Sequence, residues 1–260
     1  MNILVIGDSH AHPDHNNRRF DWLGRFIVDT QPDVIVDIGD WADMPSLCSY
    51  DKGVKSEGRR YRADIECAID ARDRVHGHIN LYNVRRRALK KSQYNPRKIA
   101  LLGNHEHRIT KAASVSPELH GTLSTEDLRT REFGWEVYDF LTPVVIEGVV
   151  FNHYFTSGNY GAAIGGDNVA AQMIIKNHTS SVCGHNHYRD FAERTTADGR
   201  KLTAVSVGAY MDYIPEWIGN NGNKWWFGLV MLHNVKNGTF DPEFIGMEVI
   251  KERYESDGHV

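Results

Sequence analysis

Short apolar runs alternate with longer amphipathic stretches in the first half of the chain. The apolar runs occupy Asn2–Ile6, Asp33–Ile38 and Ile99–Leu102, and a glycine follows each of them. Between them, apolar side chains recur at helical spacing over Phe20–Val28 and over about Tyr61–Lys91. Short apolar runs that end at glycine predict buried strands, and the helical spacing predicts amphipathic helices. Strands that alternate with helices in this way are typical of a parallel sheet.

Hairpin signals replace this alternation in the second half. Val144–Ile146 and Val149–Asn152 flank Glu147-Gly148 as a tight hairpin, and Asp198-Gly199 and Asn237-Gly238 are further turn dipeptides between alternating strands. The pattern predicts a layered α/β protein with a mixed sheet or two stacked sheets. No linker-like segment interrupts residues 1–260, so we expect a single domain.

Composition narrows the class of protein. The 260 residues are 41% hydrophobic, which suits one large core, and the net charge of −4 excludes a generally basic protein. The N-terminal apolar run is too short for a signal peptide or a membrane span. Three cysteines (Cys48, Cys67 and Cys183) without paired spacing favour a reducing, cytoplasmic setting.

Metal-binding and proton-handling side chains follow four of the predicted strands. The carboxyl ends of strands in an α/β sheet meet at one edge, so these residues are expected to converge there. His153 follows a fifth strand. The paired residues are Asp8 and His10, Asp40 and Asp43, Asn104 and His105, and His185 and His187.

The order of these motifs (D-x-H, G-D-x-x-D, G-N-H-E, a single His, then G-H-x-H) resembles the calcineurin-like metallophosphoesterase family over about residues 3–187. The resemblance implies a four-layer sandwich of two mixed β-sheets flanked by helices, with a centre of two divalent metals. One metal would be bound by Asp8, His10 and His187. The other would be bound by Asn104, His153 and His185, with Asp40 bridging the two.

The resemblance also implies the chemistry. An activated water would attack phosphorus, His105 would act as acid or transition-state stabiliser, and Asp43 would hold and polarise His105. Imidazole, carboxylate and amide ligands suit manganese above all here, with iron, zinc or nickel as alternatives. Only Asp8 and Asp40 of the seven ligands are anionic, so the loaded centre keeps positive charge and favours an anionic phosphoryl group.

One departure from the family pattern shapes the expected substrate. Met44 stands directly after G-D-x-x-D, where Ser/Thr protein phosphatases of this family carry an arginine that clamps phosphate. A bidentate arginine suits a terminal phosphate, so its absence favours a phosphodiesterase or nuclease. A nucleotide or protein phosphomonoesterase and a non-catalytic scaffold remain alternatives.

Two further residues lie inside the motifs. Glu106 stands where the family more commonly has the aspartate of G-N-H-D, and it is expected to be structural. Trp41, inside G-D-x-x-D, is a candidate for stacking on substrate.

A basic, helical insertion is predicted over about residues 46–97. Residues 51–98 carry 14 Lys+Arg against 6 Asp+Glu, while the rest of the chain has a net charge of −12. One interpretation is a guide for a polyanion such as nucleic acid. The other is a solvated helix or an arm for oligomerisation. The residues expected to contact nucleic acid are Arg59, Arg60, Arg85, Arg86, Arg87, Lys90 and Lys91.

Overall fold

Two mixed β-sheets, flanked by helices, form the protein. The computed structural model describes residues 1–50 and 56–255. Part of the predicted insertion (51–55) and the end of the predicted domain (256–260) lie outside the described residues. The strands are β1 (Ile3–Ile6), β2 (Val34–Asp37), β3 (Arg97–Leu101), β4 (Glu136–Tyr138), β5 (Val144–Ile146), β6 (Val149–Phe151), β7 (Thr156–Ser157), β8 (Ala162–Ala163), β9 (Ser181–Cys183), β10 (Arg189–Thr195), β11 (Lys201–Val207), β12 (Gly228–Lys236) and β13 (Thr239–Gly246). The helices are α1 (Arg18–Thr30), α2 (Tyr61–Ala88), α3 (His107–Val115), α4 (Val169–Asn177) and α5 (Met247–Glu255).

The first sheet has the order β13-β12-β1-β2-β3-β4, and the second has the order β10-β11-β9-β6-β5. Strands β1 to β4 are parallel, while β12 and β13 extend the first sheet in antiparallel fashion. In the second sheet β6, β9 and β11 are parallel, and β5 and β10 are antiparallel edge strands. Strands β7 and β8 form a separate small hairpin.

Three apolar clusters define four layers. The central cluster lies between the sheets and joins Ile3, Val5 and Val36 of the first sheet to Phe151 and Val182 of the second. A larger cluster joins the outer face of the first sheet to α1, α2 and α5, and a smaller one joins the second sheet to α4. Because β1 and β2 are buried on both faces, their side chains form continuous apolar runs rather than alternating ones. The predicted α/β sandwich is confirmed.

The long helix α2 forms part of the helical layer over the first sheet. One face of α2 is buried in the larger cluster, and the helix packs along α1. The buried face includes Ile65, Ala68, Val75 and Ile79. The predicted helix is therefore present, although it ends at Ala88. Among the described residues, no helix combines the length and the apolar composition needed to cross a membrane.

Candidate metal centre

All nine predicted site residues meet at one edge of the two sheets. They lie on the loops that follow the carboxyl ends of β1, β2, β3, β6 and β9. Among the described residues, two groups that could each hold a metal ion are Asp8, His10 and His187, and Asp40, His153 and His185. A further cluster of ligand atoms consists of His10, Asp43 and His105.

In the first group, three side chains from two distant loops face each other. Asp8 Oδ2 lies 3.0 Å from His187 Nε2, and His10 Nε2 lies 3.1 Å from the same nitrogen. The other carboxylate oxygen of Asp8, Oδ1, is buried without a hydrogen-bond partner. A buried unsatisfied carboxylate oxygen is costly. A bound cation would satisfy it, so this donor set fits a metal.

The second group is built around His153, which is fully buried. Its Nδ1 lies 3.1 Å from Ile38 O, and a carbonyl only accepts, so Nδ1 carries a proton. Nε2 then points toward two more acceptors, Asn104 Oδ1 at 2.9 Å and Asp40 Oδ2 at 3.4 Å. Three acceptor atoms facing one another need a proton or a metal between them. An imidazole oriented through its other nitrogen is typical of metal ligands.

The electrostatics of the second group favour a cation. Burial raises the pKa of Asp40, but the charges of His153 and His105 outweigh it and hold that pKa well below its usual range. Burial lowers the pKa of His153, yet the charge of Asp40 reverses this effect and raises it to about 9. The buried carboxylate thus stabilises positive charge beside it, whether a proton or a metal ion carries that charge.

Asp43 connects the first group to His105. Its Oδ1 lies 2.8 Å from His10 Nδ1 and 3.2 Å from His105 Nδ1. Burial and the charge of His105 lower the pKa of His10, so His10 is a neutral imidazole that donates from Nδ1 and leaves Nε2 available as a ligand. Burial also opposes charge on His105, but the charge of Asp40 and the bond to Asp43 raise its pKa to about 9. Asp43 therefore orients two imidazoles.

Two glycines allow the carboxylates to reach their positions. A Cβ at Gly103 would lie 2.1 Å from Asp40 Oδ1, and one at Gly184 would lie 2.2 Å from Asp8 Oδ1. Both distances are far inside van der Waals contact, so any larger residue would displace the carboxylate. The loop after β2 approaches the glycine of G-N-H-E, and the loop after β1 approaches the glycine of G-H-x-H. Only glycine leaves room for this close approach.

Several residues of the two candidate groups have strained backbone conformations. His10, Asp40, His185 and His187 have φ values of 44°, 53°, 68° and 56°. Residues other than glycine rarely adopt this left-handed region, at a cost of about 1–3 kcal/mol each. Such strain is found where the surrounding contacts impose it, and here it turns each side chain toward the same point.

Glu106 holds the loops after β2 and β3 together through hydrogen bonds to their backbone, as expected for a structural residue. It is buried, its Oε1 accepts from Ala42 N at 2.7 Å, and its Oε2 accepts from Gly103 N at 2.8 Å and Asp40 N at 3.1 Å. One carboxylate therefore ties the turn after β2 to the turn after β3. Burial and the charge of Asp40 raise the pKa of Glu106 to about 7.

The expectation that Trp41 stacks on substrate is wrong. Trp41 is only 4% exposed, and its Nε1 donates to Ala68 O of α2 at 3.1 Å. The buried Arg72 guanidinium lies 3.8 Å from its ring centroid and 4.4 Å from that of Trp135. Arg72 also pairs with the buried Asp37. The indole faces this buried ion pair because α2 covers it.

Sequence reasoning missed the aromatic rings beside two histidines of the candidate metal groups. Trp225 packs edge to face on His187 with centroids 4.1 Å apart, and Tyr154 lies 4.6 Å from His185. Both rings are partly exposed. The Trp225-Trp226 pair was visible in the sequence, but only the fold brings Trp225 beside the G-H-x-H loop.

Sequence reasoning also missed Arg108, the second residue of α3. Its Nη1 donates to Asp43 O at 2.8 Å and Met44 O at 3.3 Å, and its Nη2 lies 3.1 Å from His105 Nε2. The one available signal was its position three residues after His105, which places both on one helical turn.

The predicted nucleic-acid contacts fall at the two ends of α2. Arg59 Nη1 donates to Pro45 O at 3.2 Å, two residues beyond Asp43, so the Arg59-Arg60 end is next to the site. The Arg85–Lys91 end lies at the amino ends of β2 and β3, where Tyr94 Oη donates to Pro32 O. With 28 residues, α2 separates the two ends by about 40 Å.

The comparisons with known proteins agree with this arrangement. A sequence profile described as "Calcineurin-like phosphoesterase" matches residues 1–244. The "Gene 54 protein" of Mycobacterium phage D29 is 26% identical over 268 residues, covering 99% of this chain and 97% of the phage protein. The "Gene 54 protein" of Mycobacterium phage L5 is 24% identical over 270 residues, with the same coverage of 99% and 97%. One crystal structure aligns with 94% of this chain and 98% of its own length, at a TM-score of 0.41 and 11% identity.

Proposed function

Since the chain belongs to the calcineurin-like phosphoesterase family, we propose that it is a two-metal phosphodiesterase that acts on nucleic acid or on nucleotide-derived diesters. Membership of the family implies metal-dependent hydrolysis of a phosphoester. The observation that carries the proposal is the pair of ligand groups at one sheet edge, each with its own buried carboxylate.

The proposed ligands follow the two groups. Asp8, His10 and His187 would hold one divalent ion, Asn104, His153 and His185 would hold the other, and Asp40 would serve both. The mixture of imidazole, carboxylate and amide donors suits manganese, iron, zinc or nickel, and we propose manganese. When bound, such ions polarise a phosphoryl oxygen and lower the pKa of water from 15.7 to roughly 7.

The catalytic work of the chain itself is assigned to His105 and Asp43. The oxygen of water would form the new bond to phosphorus and lose one proton to solvent, and the bond from phosphorus to the leaving oxygen would break with its electron pair on that oxygen. His105 Nε2 would give the leaving oxygen a proton, while Asp43 holds Nδ1 through its carboxylate at 3.2 Å and its carbonyl at 2.6 Å. General acid catalysis of this kind contributes about 10²–10⁴-fold.

A diester is favoured over a monoester by the residue after Asp43. Met44 is fully buried and offers no charge to the extra anionic oxygen of a terminal phosphate. A nucleoside on the ester is supported by the partly exposed rings of Trp225 and Tyr154 beside the histidines. Stacking of a base on such a ring is worth about 1–3 kcal/mol.

Hydrolysis of bis-p-nitrophenyl phosphate and p-nitrophenyl phosphate by manganese-loaded protein tests the reaction class. We expect turnover of the diester to exceed that of the monoester, and His105→Ala to keep its metals but lose most turnover. A strong preference for the monoester would exclude the diesterase proposal, and metal loss in His105→Ala would reassign that residue. Protein purified without chelator that holds no metal and shows no metal-stimulated turnover would instead support a scaffold.

Binding of single-stranded and duplex DNA at several salt concentrations tests the nucleic-acid proposal. Neutralising Arg59 and Arg60 together should weaken binding and reduce its salt dependence, since they adjoin the site. Neutralising Arg85, Arg86 and Arg87 should do so only for oligonucleotides long enough to span about 40 Å along α2. Unchanged binding in both variants would leave α2 with a structural role alone.

A further inference from the structure

We propose that Arg108 binds the scissile phosphate of the substrate, donating from Nη2 to a non-bridging phosphoryl oxygen beside His105. The inference rests on the proposed function, because it assigns a substrate contact to the same site.

The Arg108 guanidinium is anchored through its Nη1. Nη1 is engaged by the carbonyls of Asp43 and Met44, at 2.8 and 3.3 Å. These two bonds aim Nη2 into the site, where it lies 3.1 Å from His105 Nε2. The side chain is partly exposed, so an arriving ligand can reach it.

Arg108 Nη2 and His105 Nε2 face the same point of the site, 3.1 Å apart. A guanidinium carries only donors, and the proposed work of His105 also requires a donor at Nε2. An anionic phosphoryl oxygen that faced both nitrogens would accept from Nη2 and from Nε2 at once.

The test compares Arg108→Gln and Arg108→Lys with Arg97→Gln. Arg97 is an exposed arginine in an ion pair with Glu136 at the opposite end of β3, so its variant removes equal charge far from the site. For each manganese-loaded protein, calorimetry measures the affinity for inorganic phosphate, metal analysis measures bound manganese, and kinetics separate KM from kcat for bis-p-nitrophenyl phosphate.

We expect Arg108→Gln to retain its manganese and to bind phosphate at least tenfold more weakly, with a higher KM, and Arg108→Lys to recover part of the affinity. Arg97→Gln should match the wild type. Phosphate affinity within twofold of wild type in Arg108→Gln, or loss of manganese from that variant, would overturn the proposal and leave Arg108 as a tether between α3 and the Asp43 turn. If the wild-type protein itself binds no metal and cleaves no ester, the proposed function fails instead.

Discussion

Replacing Gly103 with alanine should dismantle the centre through a single methyl group. The added Cβ would lie 2.1 Å from Asp40 Oδ1 and 2.3 Å from Asp40 N, whereas ordinary contact begins at 3.4 Å. The carboxylate must therefore move by about 1 Å or more. Metal sites tolerate deviations of about 0.2 Å in ligand distance, and a misplacement of about 1 Å can cost about 10²-fold in rate.

We therefore expect Gly103→Ala to lose most of its bound manganese and at least about 10²-fold in kcat/KM for bis-p-nitrophenyl phosphate. Equilibrium dialysis gives the metal content, and circular dichroism checks that the fold is kept. The matched control is Gly165→Ala, whose Cβ would meet only Asn186 Oδ1 at an ordinary 3.6 Å. Gly103→Ala protein that keeps both metal content and kcat/KM would refute the role given to Asp40.

Three further substitutions test the surroundings of the site by urea unfolding of the metal-free protein. Glu106→Gln leaves one acceptor oxygen where two carboxylate oxygens now serve three backbone N–H groups, so it should destabilise the fold by about 1–3 kcal/mol; equal stability would contradict that role. Gly77→Ala, on the exposed face of α2 with no atom within 4 Å of the new Cβ, should stabilise by about 0.5–1 kcal/mol, and a loss would mean that α2 is strained there. Burial lowers the pKa of His76 from 6.5 to about 3, and its Nε2 accepts from Trp135 Nε1 at 2.8 Å. The unfolded chain thus binds the extra proton below pH 6.5, so stability falls as the pH falls, and His76→Gln should flatten that slope by up to about 1.36 kcal/mol per pH unit; parallel slopes would contradict it.

The sequence alone was sufficient to predict where the site-bearing strands end, because the residues that mark a strand end are neighbours in the sequence. Gly39-Asp40 and Gly103-Asn104 each follow a short apolar run, and the rule that parallel strands end at a common edge brings the loops together without any further information. The second sheet was harder to predict, since β5, β6 and β9 are only three residues long. For β5 and β6, the Glu147-Gly148 turn between them carried the signal instead.

What the sequence could not supply is the direction of side chains set by distant packing. Trp41 lies inside a site motif, yet α2 covers it and turns its indole toward Arg72. Arg108 lies outside the motif, yet its side chain folds back onto Asp43 and His105. The basic residues that were expected to form one guide lie at the two ends of α2, and its 28 residues separate them by about 40 Å.

The most direct test of the shared metal centre is the number of manganese ions bound per chain at saturation, measured by equilibrium dialysis for the wild type and for Asp40→Asn. We predict two ions for the wild type and loss of both in Asp40→Asn, since Asp40 is the carboxylate assigned to both sites. One ion in the wild type, or two retained by Asp40→Asn, would contradict a centre built on that residue.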